Sequence, residues 1–121
     1  MTRILIVDDS PTETHVLKSM LEKHGHQVSV AQTGEDGIKL AQQETPDVIL
    51  MDIVMPGVNG FQATRKLSKD PGTSAIPIVM ISTKDQDTDR IWAKRQGAKD
   101  YITKPVTEKE LLAKIKSALE G

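Results

Sequence analysis

Short apolar runs alternate along the chain with longer stretches in which apolar residues recur every three or four positions. Ile4-Leu5-Ile6-Val7, Val48-Ile49-Leu50-Met51 and Ile78-Val79-Met80-Ile81 are continuously apolar, the pattern of strands covered on both faces. Val28 and Val30 instead alternate with Gln27 and Ser29, and the run at Tyr101-Ile102 is short and mixed, as befits sheet edges. The runs predict strands over 3–9, 27–32, 47–52, 76–82 and 99–103, and the amphipathic stretches predict helices over 11–24, 34–44, 60–69, 86–96 and 107–119. Successive βα units call for a parallel sheet with helices on both faces. Placing the three wholly apolar strands in the middle gives the order 2-1-3-4-5, a flavodoxin-like doubly wound (βα)5 fold of the α/β class. The dinucleotide-binding order 3-2-1-4-5 would put the apolar third strand at an edge, and no G-x-G-x-x-G follows the first strand.

Helix boundaries agree with this division. Ser10-Pro11-Thr12-Glu13 supplies a capping serine, a proline at the first helical position and a glutamate placed to complete a capping box. Thr107 and Glu110 repeat that chemistry ahead of the stripe Leu111, Leu112, Ile115 and Leu119. Gly25, Gly97 and Gly121 fall where helices should stop. The fourth helix is the weakest, with Ile91, Trp92 and Ala93 as its few anchors. Low local stability is where switching elements are found.

Composition narrows the field. The 121 residues make one domain, 1–121, with no room for an output domain. A net charge of −1 offers no footprint for nucleic acid or membrane. Cysteine is absent, which removes disulfide and thiolate chemistry, and the first apolar run is too short for a signal peptide or a membrane span. A cytoplasmic protein is the simplest expectation.

The chemistry lies at the ends of the runs. Asp8 and Asp9 follow the first, Asp52 the third, Ser82 the fourth, and Lys104-Pro105 comes just past the fifth. Parallel strands put these positions on one edge of the sheet, where open α/β proteins place their sites. Clustered carboxylates either raise a pKa or recruit a cation, and an all-oxygen set beside a phosphate suits Mg²⁺. Asp52 is then a nucleophile able to carry a phosphoryl group as an acyl phosphate. Asp9 with Mg²⁺, Ser82 and Lys104 would neutralise the phosphoryl oxygens. Each residue also has an ordinary reading: helix initiation for Asp8 and Asp9, a turn for Asp52, a cap for Ser82, a solvated surface lysine for Lys104. Their matching positions favour the site. The bond before Pro105 is a candidate for the cis form. Trp92 and Tyr101 read as packing residues, and His15, His24 and His26 as surface histidines without ligand spacing.

Ile4-Leu5-Ile6-Val7-Asp8-Asp9-Ser10, Asp52-Ile53-Val54-Met55-Pro56-Gly57-Val58-Asn59-Gly60, Ile81-Ser82-Thr83 and Tyr101-Ile102-Thr103-Lys104-Pro105, in this order and spacing, resemble the receiver domain of two-component response regulators. The likeness runs end to end and is to the single-domain, chemotaxis-like type, with overall similarity to the receivers of type IV pilus twitching motility. It implies Asp52 as phosphoacceptor from a sensor histidine kinase, and Asp9, Asp52 and the Val54 carbonyl as Mg²⁺ ligands, with Asp8 acting through water. It implies Ser82 and Lys104 on the phosphoryl oxygens, and Tyr101 moving with Ser82 from an exposed to a buried rotamer. Thr83 would narrow access, and Val54 and Lys84 would tune hydrolysis. Signalling would pass through the face of helix 4, strand 5 and helix 5 to a protein target, from a monomer or weak dimer that contacts neither nucleic acid nor membrane.

Two other uses fit the same chain: a phosphate sink for a second receiver, or a binding module indifferent to phosphorylation. A hydrolase acting on foreign substrates is disfavoured, because Val54 stands where such phosphatases carry a second acid. The expected chemistry is self-catalysed acceptance and loss of the phosphoryl group, not enzymatic turnover.

Overall fold

The alternating direction of side chains along each central strand decides which helices cover which face. The computed structural model describes residues 2–121. Its elements are β1 (Arg3–Val7), α1 (Pro11–Lys23), β2 (Gln27–Ala31), α2 (Gly34–Glu44), β3 (Val48–Asp52), α3 (Gly60–Lys69), β4 (Ile78–Ser82), α4 (Asp87–Gln96), β5 (Asp100–Thr103) and α5 (Glu108–Glu120). All strands pair in parallel in the order β2-β1-β3-β4-β5, the expected doubly wound sheet. Ile4, Ile6, Val48, Leu50, Val79, Ile81 and Ile102 point to one face, packed with Leu17 and Leu21 of α1 and Leu111, Ile115 and Ala118 of α5. Leu5, Val7, Ile49, Met51, Ile78 and Met80 point to the other, under Ile38 and Ala41 of α2, Ala63 and Leu67 of α3 and Ala93 of α4. Side chains alternate along a strand, so each continuous apolar run serves both layers.

Register aligns the strand ends. Val7 lies opposite both Ala31 and Met51, Asp52 opposite Ile81, and Ser82 opposite Thr103. Asp8 and Asp52 therefore leave adjacent strands side by side, with Ser82 and then Lys104 one step further out. The Asp8 amide still bonds the Ala31 carbonyl at 3.0 Å, and the Lys104 amide bonds the Ser82 carbonyl at 2.8 Å, so pairing carries on past the strands to hold these residues in place.

Helix termini conform only in part. Ser10 and Thr107 accept from the amides of Glu13 and Glu110, at 3.3 and 3.2 Å. The Ser10 amide, however, donates to Asp8, so the capping box expected there is half realised; Asn59 and Gln62 form a complete one at α3. Gly97 closes α4 at φ 110°, and a Cβ there would collide with Ser68 of α3. In α4 only Ala93 and Gln96 are buried. Ile91 and Trp92 are 51 % and 47 % exposed, contrary to their expected role as anchors. Among the described residues no helix is long and apolar enough to cross a membrane.

Leu50→Ala, in the α1–α5 layer, is expected to lower the unfolding free energy by about 3 kcal/mol. Leu119→Ala, at an exposed position of α5, should change it by less than about 0.5 kcal/mol. Urea denaturation of the two variants checks the assignment of layers.

Candidate functional site

At the carboxyl edge of the sheet the chain has to turn, and the local chemistry of each turn aims a functional group. After β1, Asp8 is buried and Asp9 exposed. Asp8 Oδ1 accepts the Ser10 amide at 2.9 Å, which fixes the carboxylate while α1 begins. After β3, Asp52 is buried and the chain passes under the start of α3, where the Gly60 amide bonds the Ile53 carbonyl at 2.8 Å. A Cβ on Gly60 would run into the Asp52 carbonyl, so only glycine permits that approach. After β5, the Lys104-Pro105 bond is cis and the lysine side chain lies along the edge, 13 % exposed.

These turns bring the acids together. Asp8, Asp9 and Asp52 each offer an oxygen within 4.8 Å of the others. Lys104 Nζ stands 3.5 Å from Asp8 Oδ2 and from Asp52 Oδ1. It makes its shortest bond, 2.6 Å, to Glu13 Oε2, a residue whose place after Ser10 reads in the sequence as helix capping. Burial pushes the Asp52 carboxyl up to about 6, reinforced by the Asp8 charge and opposed by Lys104. Burial also raises Asp8, against its bond from Ser10 and the lysine charge. For Lys104, burial works against the ammonium, but the Glu13 bond and the charges of Asp52 and Asp8 outweigh it and raise the group. The Lys104 bond holds Glu13 below its ordinary value. An all-oxygen, strongly anionic donor set of this kind fits a hard divalent cation.

Ser82 is fully buried, and its hydroxyl accepts the Lys84 amide at 3.2 Å. It thus acts as the turn cap of its ordinary reading while also standing at the edge that register assigns to it. Tyr101 is buried and donates its hydroxyl to the Lys84 carbonyl at 2.7 Å. This is the inward rotamer that the family resemblance associates with the phosphorylated form. Arg90 of α4 lies over the Tyr101 ring, 4.9 Å from its centroid, and donates to Thr103 Oγ1 at 2.7 Å. That cation–π contact had no signal in the sequence. Val54 is 60 % exposed and Thr83 and Lys84 are exposed, all on the open side of the edge. His24 lies at the surface, 3.3 Å from Glu108; no histidine joins the acidic cluster.

The family model for the response regulator receiver domain matches residues 4–116. The chain belongs to that family. It is 66 % identical to protein PilH of Pseudomonas aeruginosa PAO1 over 121 residues, the full length of both. Among solved structures, the Vibrio cholerae chemotaxis protein CheY4 superposes with a TM-score of 0.93 at 28 % identity, covering 98 % of this chain and 99 % of that one. The receiver domain of the sensor histidine kinase PA1611 from P. aeruginosa PAO1, solved with magnesium in its active-site cleft, superposes with a TM-score of 0.92 at 28 % identity, covering 99 % and 98 %. This receiver thus shares its fold with both solved receivers over nearly its whole length.

The crowding of acids has a measurable cost. Asp52 ionises near pH 6 in the folded chain instead of near 3.8, so its charge destabilises the fold increasingly as pH rises through that interval. Without divalent cations, Asp52→Asn should stabilise the receiver above pH 6. The gain should be about 1–2 kcal/mol after allowance for solvent screening, fading as pH falls towards 4. Thermal melts of both proteins across that range, repeated with added Mg²⁺ to shrink the gain, check this.

Proposed function

We propose that this receiver is a phosphorylation switch in which Asp52 takes a phosphoryl group from the phosphohistidine of a sensor kinase. The observation that carries this reading is one buried aspartate with a lysine ammonium 3.5 Å away and two further carboxylates within 4.8 Å. In the transfer, an Asp52 oxygen attacks phosphorus, the phosphorus–nitrogen bond breaks, and its electron pair returns to the donor imidazole. Little covalent work is needed beyond positioning and charge neutralisation. Lys104 and Ser82 are assigned to the phosphoryl oxygens. Asp9, Asp52 and the Val54 carbonyl are assigned to Mg²⁺, with Asp8 acting through water. When bound, the cation supplies the remaining neutralisation of phosphoryl charge.

The activity is confined to the chain's own aspartate. Val54, an exposed valine, provides no general acid two residues beyond Asp52, so acceptance and slow self-hydrolysis are expected, not turnover of foreign esters. Output is assigned to the α4–β5–α5 face through Ser82 and Tyr101, towards a protein target, in the cytoplasm and without nucleic acid. Identity of 66 % with PilH supports a place in type IV pilus or chemotaxis-like motility control.

Intact mass after incubation with acetyl phosphate tests the chemistry. Wild type with Mg²⁺ should carry a single phosphoryl adduct, and Asp52→Asn, or wild type with chelator, should carry none. A folded wild type that forms no adduct and shows no response to beryllofluoride would leave only the binding-module reading.

A further inference from the structure

Glu13 is a fourth carboxylate at the site, yet it is not part of the three-acid group that could hold a cation. Its place is fixed from below: Pro11 starts α1, and the Glu13 amide is tied to the Ser10 hydroxyl. Its side chain rises 44 % exposed and reaches Lys104 at 2.6 Å, the length of a strong charge-assisted bond. The same ammonium is 3.5 Å from Asp8 and Asp52, at the outer limit of hydrogen bonding. Lys104 is therefore held towards α1, not against the aspartate it is to serve.

A phosphoryl group adds nearly two negative charges and strong acceptor oxygens. To meet them, Lys104 has to give up or share its bond to Glu13, and the Glu13 charge also repels the incoming group. For a cation the sign is reversed. A further carboxylate makes the edge more negative, and a lysine drawn away from Asp8 and Asp52 leaves their oxygens freer to ligate.

We propose that Glu13 is a positioning residue that acts through Lys104, setting the site's preference towards the divalent cation and against the phosphoryl group. The inference rests on Asp52 being the phosphoryl acceptor. Neutralising Glu13 should therefore move two affinities in opposite directions, which a purely structural role in capping α1 cannot do.

The experiment is calorimetric titration of wild type, Glu13→Gln and Glu13→Asp, first with MgCl₂ alone and then with beryllofluoride at saturating Mg²⁺. Circular dichroism and melting confirm the fold of each. Glu13→Gln should bind beryllofluoride about three- to ten-fold more tightly and Mg²⁺ about two- to five-fold more weakly. Glu13→Asp, which keeps the charge, should stay nearer wild type in both. Glu13→Gln affinities that both weaken, or both remain within error, overturn the proposal even though the wild type binds beryllofluoride. If Glu13→Gln melts early, the same opposed shifts are required of Glu13→Ala. A wild type that binds Mg²⁺ but no beryllofluoride overturns the acceptor reading itself, and this inference with it.

Discussion

Strands that run parallel in one register end together, and everything at the site follows from that constraint. Val7 opposite Met51, Asp52 opposite Ile81 and Ser82 opposite Thr103 leave no freedom to spread Asp8, Asp52, Ser82 and Lys104 over the surface. Strong apolar pairing below them, between fully buried side chains on both faces of the sheet, holds like charges where they would not gather unaided. The result is an edge with low solvent access and excess negative charge, at which Asp52 resists ionisation until about pH 6. Stability given up there is recoverable by anything that binds the folded edge and neutralises it. The site's affinity for cations and its cost to the fold are two aspects of one arrangement.

Among the described residues Lys104 is the one lysine that pairs with this cluster, and it directly follows β5, the strand furthest from Asp8 in the sheet order. Its ammonium reaches across that gap to α1, which offers Glu13 as a bridgehead. Thr103, its immediate neighbour, accepts from Arg90 of α4, and Tyr101, two residues before, donates to the loop after β4. A stretch of four residues thus touches the acidic cluster, the α4 helix and the β4–α4 loop. Any displacement of the ammonium is felt within one short strand by the face assigned to output.

Much of this was legible in the sequence because the main signals are local. Continuous apolar runs of four residues, alternating with amphipathic stretches, read as strands buried on both faces, and the order 2-1-3-4-5 follows once two of the runs are seen to be weaker. Errors in strand and helix ends reach one or two residues, as when Asp8 and Asp9 prove to lie beyond β1. What escaped was long-range pairing by residues with a sufficient local explanation. Glu13 at the third position after a capping serine reads as a cap, and nothing nearby announces a lysine 91 positions on. Trp92 and Ile91 read as anchors because α4 has little else that is apolar. The helix instead meets the core through small Ala93 and through Gln96, and Tyr101 of β5 is buried in the same layer as Ala93.

That substitution of partners bears on why α4 suits a switch. A helix held by an alanine and a glutamine gains far less from burial than α1, seated by Leu17 and Leu21, or α5, seated by Leu111 and Ile115. Its attachment to the sheet relies instead on Arg90, which stacks on Tyr101 and bonds Thr103. Both partners lie on β5, and the Tyr101 hydroxyl bonds the Lys84 carbonyl, whose own amide is bonded by Ser82. A movement of Ser82 towards Asp52 therefore disturbs the loop that anchors Tyr101, and with it the platform on which Arg90 rests. Because so little apolar surface restrains α4, the free energy of a few polar contacts is comparable to what holds the helix in place. In α1 the same contacts would be too weak, against the burial of Leu17 and Leu21, to move anything.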